Sequence, residues 1–426
     1  MRDLVHPADN LVRAMARIYQ YRMTTTSGGN LSIRDDDGSI WITPARVDKG
    51  ALDAADIVRV RPDGNVEGRH RPSSEFPFHE LIYQARPDLR AIVHAHPVAL
   101  VAFSICGAVP DTRLFAKARD VCGEVGFAPY ALPGSRKLGE HIAGVFAEGH
   151  DCVMLENHGV VIGGADFDEA FRKFETLEFV AKTIIKARAL GEVRYLSDAE
   201  VARIDQSDLE MERFEPAPAT SRERELRREL CKFIRRGYHQ RLLTANAGSF
   251  SARLGDDEFL ISTRFTDRAT IAPSQLALIR GGKCEAGLRP SRACELHRLI
   301  YQKHPGIHAI VNATPVNATA FSASAAKLDT RTIPESYIFL RDVVRFPYDA
   351  AYQHPESIAA EMTPEFPIAL LDNDGALVLG TSILDAFDRL EVLESTAEAV
   401  ILSRSIGEVT PMGDEVIDEL IGAFLK

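Results

Sequence analysis

Two imidazoles, His94 and His96, stand two residues apart at the end of an apolar, β-branched run, AIVHAHP. If that run is a strand, positions i and i+2 project to the same side, so both rings can face one point. That is chelating geometry. A third imidazole, His158, sits in LENHGVV, where Gly159 gives the backbone freedom to aim it. Three histidines without cysteine describe an open, catalytic kind of metal site, with the metal polarising substrate oxygens, rather than a closed structural one. Glu75 follows the turn RPSS, whose Ser73 or Ser74 can cap the first amides of a helix beginning there. Its carboxylate can take a proton from substrate, or ligate the metal while substrate is absent.

The elements that must position these four residues are written twice in the chain. Residues 71–104 recur as residues 289–322, with 18 of 34 positions identical. RMTTTSGGNLSIR (22–34) answers RLLTANAGSFSAR (241–253), and 169–193 answers 385–409. The second copy lacks the chemistry. Asn312, Thr314 and Asp374 stand where His94, His96 and His158 stand in the first, and Ala293 replaces Glu75. These positions changed together while their flanks held, which drift in a structural core does not explain. By the same comparison His79, Glu175 and Glu178 persist as His297, Glu391 and Glu394, so they are assigned to fold or assembly.

Each half reads as an amphipathic helix, short strands with turns, a helix near 75–86 and the strand AIVHAH. A loop-rich stretch, a strand pair around CVMLENHGVVIGG and a long helix from about 166 to 190 follow. Helices interleaved with short strands predict an α/β layered domain, present twice. The expected division is a catalytic domain over 1–213, a linker over 214–223 and a degenerate domain over 224–426. The linker, FEPAPATSRE, has prolines and small residues but no hydrophobic periodicity.

Composition sets the outer bounds. A chain of 426 residues is too long for one core, and 45% hydrophobic with 26% charged residues suits a soluble globular protein. No apolar run approaches the ~20 residues that cross a bilayer. The start, MRDLVHPADN, carries charge where a secretory signal needs an apolar stretch, so a cytoplasmic protein is expected. A net charge of -11 speaks against a broad nucleic-acid-binding face. Six cysteines without CxxC spacing predict buried free thiols.

With SGGNLS, ITP, PSSE, HAH and ENHG in this order, the first half, from about residue 8 to 200, resembles the class II aldolase/adducin family. That family includes sugar-phosphate aldolases, an epimerase, dehydratases and decarboxylases. The resemblance implies a three-layer α/β/α domain around an antiparallel-rich central sheet. It also implies a divalent metal, usually Zn2+ with Mn2+, Fe2+ or Co2+ as alternatives, on His94, His96 and His158, and Glu75 as acid/base. Asn30, Ser73 and Ser74 match family residues that hold a substrate phosphate. The Thr-Gly expected after ITP is Ala45-Arg46 here, and a guanidinium can pair with phosphate or carboxylate, so Arg46 is a candidate substrate contact. A tyrosine that one aldolase of the family supplies as general acid from a neighbouring subunit falls at Phe115, so that role has no occupant there.

The implied activity is a metal-dependent lyase cleaving a carbon–carbon bond of a small anionic hydroxy-carbonyl compound through a metal-stabilised enolate. Decarboxylation, epimerisation and dehydration are the alternatives within the family, and a non-catalytic adducin-like assembly module is the alternative from another class. Family sites lie between subunits of a four-fold ring, so the duplication implies a homodimer forming a four-domain pseudo-tetrameric ring, with no membrane or nucleic-acid partner.

Overall fold

A computed structural model describes residues 5–203 and 210–425. The chain forms two units: the first runs to Thr112 and resumes over Lys117–Lys182, and the second takes Arg113–Ala116 and everything from Thr183 onward.

The strands of the first unit are β1 (Asn30–Arg34), β2 (Ile40–Ile42), β3 (Val58–Val60), β4 (Val66–Glu67), β5 (Ala91–Ala95), β6 (Val125–Ala128), β7 (Cys152–Leu155) and β8 (Gly159–Gly164). They make one sheet in the order β4-β3-β2-β1-β5-β8-β7-β6. Pairing is antiparallel except between β6 and β7, so the sheet is antiparallel-rich as expected. Its helices are α1 (Pro7–Gln20), α2 (Phe76–Ala85), α3 (Val98–Ile105), α4 (Ala116–Cys122), α5 (Arg136–Ala147) and α6 (Phe167–Leu190), α4 and α6 each being shared with the second unit.

All five residues of β5 are buried. A strand buried on both faces must be covered by a layer on each side, which is why AIVHA is continuously apolar up to its histidine. Ile92 joins Phe78 and Ile82 of α2 and Ile142 and Phe146 of α5 in one core. His94 shares the face of Ile92, and its ring lies edge-on to Phe78 at 5.4 Å. The strand that carries His94 is therefore near the centre of the sheet, pinned between β1 and β8. A pinned central strand is a rigid mount.

The second unit repeats this plan with β9 (Arg213–Phe214), β10 (Ser249–Gly255), β11 (Glu258–Ser262), β12 (Leu276–Arg280), β13 (Lys283–Glu285), β14 (Ala309–Ala313), β15 (Val344–Phe346), β16 (Ile368–Leu371) and β17 (Gly375–Gly380). Their order is β15-β16-β17-β14-β10-β11-β12-β13-β9. Its helices are α7 (Asp198–Ala202), α8 (Ser221–His239), α9 (Cys294–Lys303), α10 (Val316–Ser322), α11 (Pro334–Leu340), α12 (Ala350–Gln353), α13 (Pro355–Glu361), α14 (Ile383–Ser403) and α15 (Asp414–Phe424).

Of the segment read as a linker, Phe214 belongs to β9, which pairs with β13, and Ser221 opens α8, whose first amides Thr220 caps. Residues 215–220 lie outside helices and strands. The strand pairing is a long-range contact that local composition does not encode. Five cysteines are buried and free as expected, whereas Cys106 is exposed just beyond α3. Among the described residues no helix is long and apolar enough to cross a membrane.

Candidate metal centre

His94 is fully buried on β5, and His96 lies one residue past the strand. His158 sits in the turn between β7 and β8, after Asn157 in the left-handed region (φ 53°). Ser104 holds that turn: its hydroxyl donates to the Leu155 carbonyl at 2.6 Å and accepts from the His158 amide at 2.9 Å. The three rings converge, with centroids 4.8 to 5.0 Å apart. Their ligand nitrogens lie within 4.8 Å of one another, and among the described residues this is the one convergent group of its kind.

The orientation of the His94 ring suits a metal. His94 Nδ1–H donates to the Val160 carbonyl at 2.9 Å, which turns Nε2 inward. That Nε2 is 3.2 Å from His96 Nε2. Burial, followed by the neighbouring His94, holds His96 down at about 3 and His158 at about 4, so both rings are neutral at physiological pH. Neutral imidazoles with lone pairs turned to one point repel unless a cation sits between them.

Glu75 completes the cluster. It stands at the N-cap of α2 without making a cap bond, so its carboxylate is free to turn away from the helix. The Ser73 hydroxyl accepts from the Glu75 amide at 3.2 Å, which anchors the backbone there. Oε2 lies 3.2 Å from His94 Nε2 and accepts from Asn30 Nδ2 at 2.8 Å. Oε1 is buried, 3.6 Å from His158 Nε2, and has no hydrogen-bond partner. An orphaned carboxylate oxygen beside three convergent imidazoles is what a cation or a substrate proton would satisfy, and the residues present fit a divalent metal. Burial would raise the Glu75 carboxyl, but His94, then His158 and the Asn30 amide, outweigh it and hold the group well below the usual carboxylate range.

Asn30, read from the sequence as a substrate contact, is 3% exposed and occupied on both ends. Its Oδ1 accepts from His79 Nε2–H while its amide donates to Glu75. Behind it, His79 Nδ1 accepts from the Ser32 hydroxyl at 2.7 Å, and Ser32 accepts from the Tyr83 hydroxyl at 2.8 Å. Burial keeps His79 at about 3, hence neutral, as these roles require. The sequence reading gave His79 a purely structural part. The same triplet does recur as His297, Ser251 and Tyr301, but there His297 Nε2 turns to Asn312, in the place of His94. The scaffold is common to both copies, and its last link to Glu75 belongs to the first alone.

The other expected contacts stand apart from this cluster. Ser74 and Arg46 are exposed, Arg46 with φ of 58° in the turn after ITP, and neither joins the hydrogen bonds around Glu75. Glu175 and Glu178 have structural partners: Arg17 at 3.9 Å and Lys182 at 3.0 Å. In the second copy, Tyr352 stands where the first has Gly134, facing Asp374, with the Arg292 guanidinium 5.7 Å from its ring centroid. The second copy thus carries a side chain where the first has a hydrogen.

The glycine loop before β1 is fitted against the histidines. A Cβ on Gly28 would come within 3.0 Å of His96 Nδ1, and one on Gly29 (φ 69°) within 2.7 Å of the His94 carbonyl oxygen. Gly29→Ala is expected to destabilise the protein by roughly 1–3 kcal/mol, because it strains the backbone and pushes on β5. Urea unfolding of the variant beside wild type measures this, and an unchanged midpoint would show that the loop yields freely.

The family model described as "Class II Aldolase and Adducin N-terminal domain" matches residues 9–185 and again 228–401. A 3-oxo-tetronate 4-phosphate decarboxylase of Pectobacterium atrosepticum is 35% identical over 201 residues, 46% of this chain and 90% of that protein. An L-fuculose phosphate aldolase of Methanocaldococcus jannaschii is 33% identical over 176 residues, 40% of this chain and 91% of that one. Among solved structures, an L-fuculose 1-phosphate aldolase is 32% identical, with a TM-score of 0.43 over 47% of this chain and 94% of its own.

Proposed function

We propose, from the premise that the chain belongs to the class II aldolase and adducin family over both of its halves, that it is a metal-dependent lyase breaking the bond beside a carbonyl of a phosphorylated sugar acid or sugar. The observation that carries this reading is the buried Oε1 of Glu75, without a hydrogen-bond partner, beside three convergent imidazoles. His94, His96 and His158 hold the metal, with Zn2+ the first choice for three nitrogens and an open position. The metal, when bound, supplies a positive charge next to the substrate oxygen on which negative charge develops. Glu75 moves the proton at Oε1, and Asn30, backed by His79, keeps Oε2 fixed so that Oε1 faces the cleft. Ser73, Ser74 and Arg46 are the candidate contacts for the anionic group.

Decarboxylation of a 3-oxo acid phosphate is the preferred reaction, because Phe115 offers no hydroxyl where an aldolase of this type places a proton donor. Aldol cleavage is the second reading, supported by the fuculose phosphate aldolase likeness. The residues through 213 carry the site, the second domain carries none, and the active form is a cytoplasmic homodimer whose four domains form a pseudo-tetrameric ring. Purified protein is expected to hold about one divalent metal per chain and to release carbon dioxide from 3-oxo-tetronate 4-phosphate, with loss of turnover on chelation and recovery on adding Zn2+. Protein with neither bound metal nor metal-dependent turnover on this compound or fuculose phosphate would end the reading.

A further inference from the structure

The second copy lacks the metal ligands, yet it keeps the two turns that answer the first copy's candidate anion-binding turns. In the first copy Pro44 bridges Pro72, and the Ala45 amide donates to the Arg71 carbonyl at 3.1 Å. That pairing sets the turn of Arg46 beside the turn of Ser73 and Ser74. In the second copy Thr263 bridges Pro290, and the Arg264 amide donates to the Arg289 carbonyl at 3.0 Å. The left-handed residue recurs too, with φ of 58° at Arg46 and at Phe265. The backbone is shared and the side chains are not. Arg264 replaces Ala45, Arg292 replaces Ser74, Arg268 replaces Lys49, and Arg289 matches Arg71. Four guanidiniums therefore stand on two paired turns.

Two of these lack a counter-ion among the described residues. Arg268 is 3% exposed and directs its guanidinium to the carbonyls of Thr263 and Thr266 (3.1 Å each) and Gly248 (3.0 Å), while its Nε has no hydrogen-bond partner. Carbonyls orient a buried charge without neutralising it. Arg292 is half-buried, with its guanidinium 5.7 Å from the ring centroid of Tyr352 and no carboxylate within ion-pair distance. The Tyr352 hydroxyl in turn donates to Asp374, in the place of His158. A fixed cation thus stands beside the residues that replace the histidines. Thr314, in the place of His96, keeps a buried hydroxyl without a partner. The acids at hand are Asp267 in the first turn and Asp374 on Tyr352, two against four arginines. A partly buried surplus of guanidiniums is a seat for an anion, and their forked donors match phosphate oxygens.

We propose that the second unit binds a phosphate group without metal, between the turn 263–268 and the turn 289–292, with Arg264 and Arg292 as its cationic contacts. Arg268 anchors the first of these turns and adds its charge to it. The donors are side chains that the first copy does not have, so this is a distinct anion site and not a repeat of the first. Ala293 leaves no acid or base in the place of Glu75, so a bound ester is held and not cleaved. A phosphate monoester and the free ion share this chemistry.

Equilibrium dialysis of the whole chain against radiolabelled inorganic phosphate counts the bound ions. The double variant Arg264→Ala/Arg292→Ser installs the side chains that the first copy carries on the same backbone, so fold and turnover are expected to stay as in wild type. It is expected to bind about one phosphate per chain fewer, and either single substitution to weaken that site roughly tenfold or more, as loss of a hydrogen-bonded charge does. Should the double variant unfold, the single ones carry the test. The readout is a difference between two proteins, so failure of the lyase reading would lower both counts alike and leave this difference intact. Arg264→Lys/Arg292→Lys, which keeps the charge, is expected to retain the site. Glycerol 3-phosphate displacing the label at lower concentration than unlabelled phosphate assigns the site to an ester, and the reverse order assigns it to the free ion. Equal counts in wild type and in the folded Arg264→Ala/Arg292→Ser variant would overturn the proposal.

Discussion

Glu75→Gln keeps its metal and its fold and loses roughly 10²- to 10⁴-fold in turnover, the range a positioned general acid or base supplies. The amide is isosteric with the carboxylate, and its oxygen can still accept from Asn30 Nδ2, which now holds Oε2 at 2.8 Å. The amide nitrogen then occupies the place of Oε1, the oxygen without a partner. That position can no longer take up or deliver a proton, so binding of substrate survives and the proton-transfer step does not. Metal analysis and steady-state kinetics on one preparation decide the matter. Loss of metal in proportion to activity would make Glu75 a ligand first, and full activity would remove it from the chemistry.

His94→Ala has the larger effect on the metal itself. His94 is the hub of the cluster: its ring neighbours both other histidines, its Nε2 faces Glu75, and its Nδ1 is fixed on the Val160 carbonyl. Removing one of three ligands from an open site leaves two imidazoles outside the central strand, His96 beyond its end and His158 in a turn. Bound metal is expected to fall from about one per chain to less than about a tenth, with turnover below detection. Elemental analysis after dialysis, alongside circular dichroism to confirm the fold, provides the measurement. Unchanged metal content would remove the three-histidine site altogether.

Much of this centre was legible in the sequence because its logic is local. Alternation along AIVHAH puts His94 and His96 on one side, and the turn after RPSS puts Glu75 at a helix start; neither depends on distant contacts. The internal repeat then sorted His94 from His79. Two things escaped it. Asn30 meets Glu75 and His79 across 45 and 49 residues of chain, and its amide is consumed by them rather than left for substrate. His79 looked structural because His297 survives in the second copy, yet the difference lies in what its Nε2 reaches, Asn30 in one copy and Asn312 in the other. Residue identity at the histidine carries no sign of that. The fold class followed from interleaved helices and strands, whereas β9 depends on a pairing with β13 that no local pattern announces.

The hydrogen bonds behind Glu75 all run one way, from Tyr83 through Ser32 to His79, and from His79 through Asn30 to the carboxylate. A carboxamide does not pass protons on as a hydroxyl or an imidazole does. Asn30 is therefore an insulator set into the wall of the site. A proton held by Glu75 therefore does not pass through Asn30 to His79 and the interior behind it. If Glu75 is the acid/base, the proton it gives to the enolate left by decarboxylation reaches it from a side other than Asn30's.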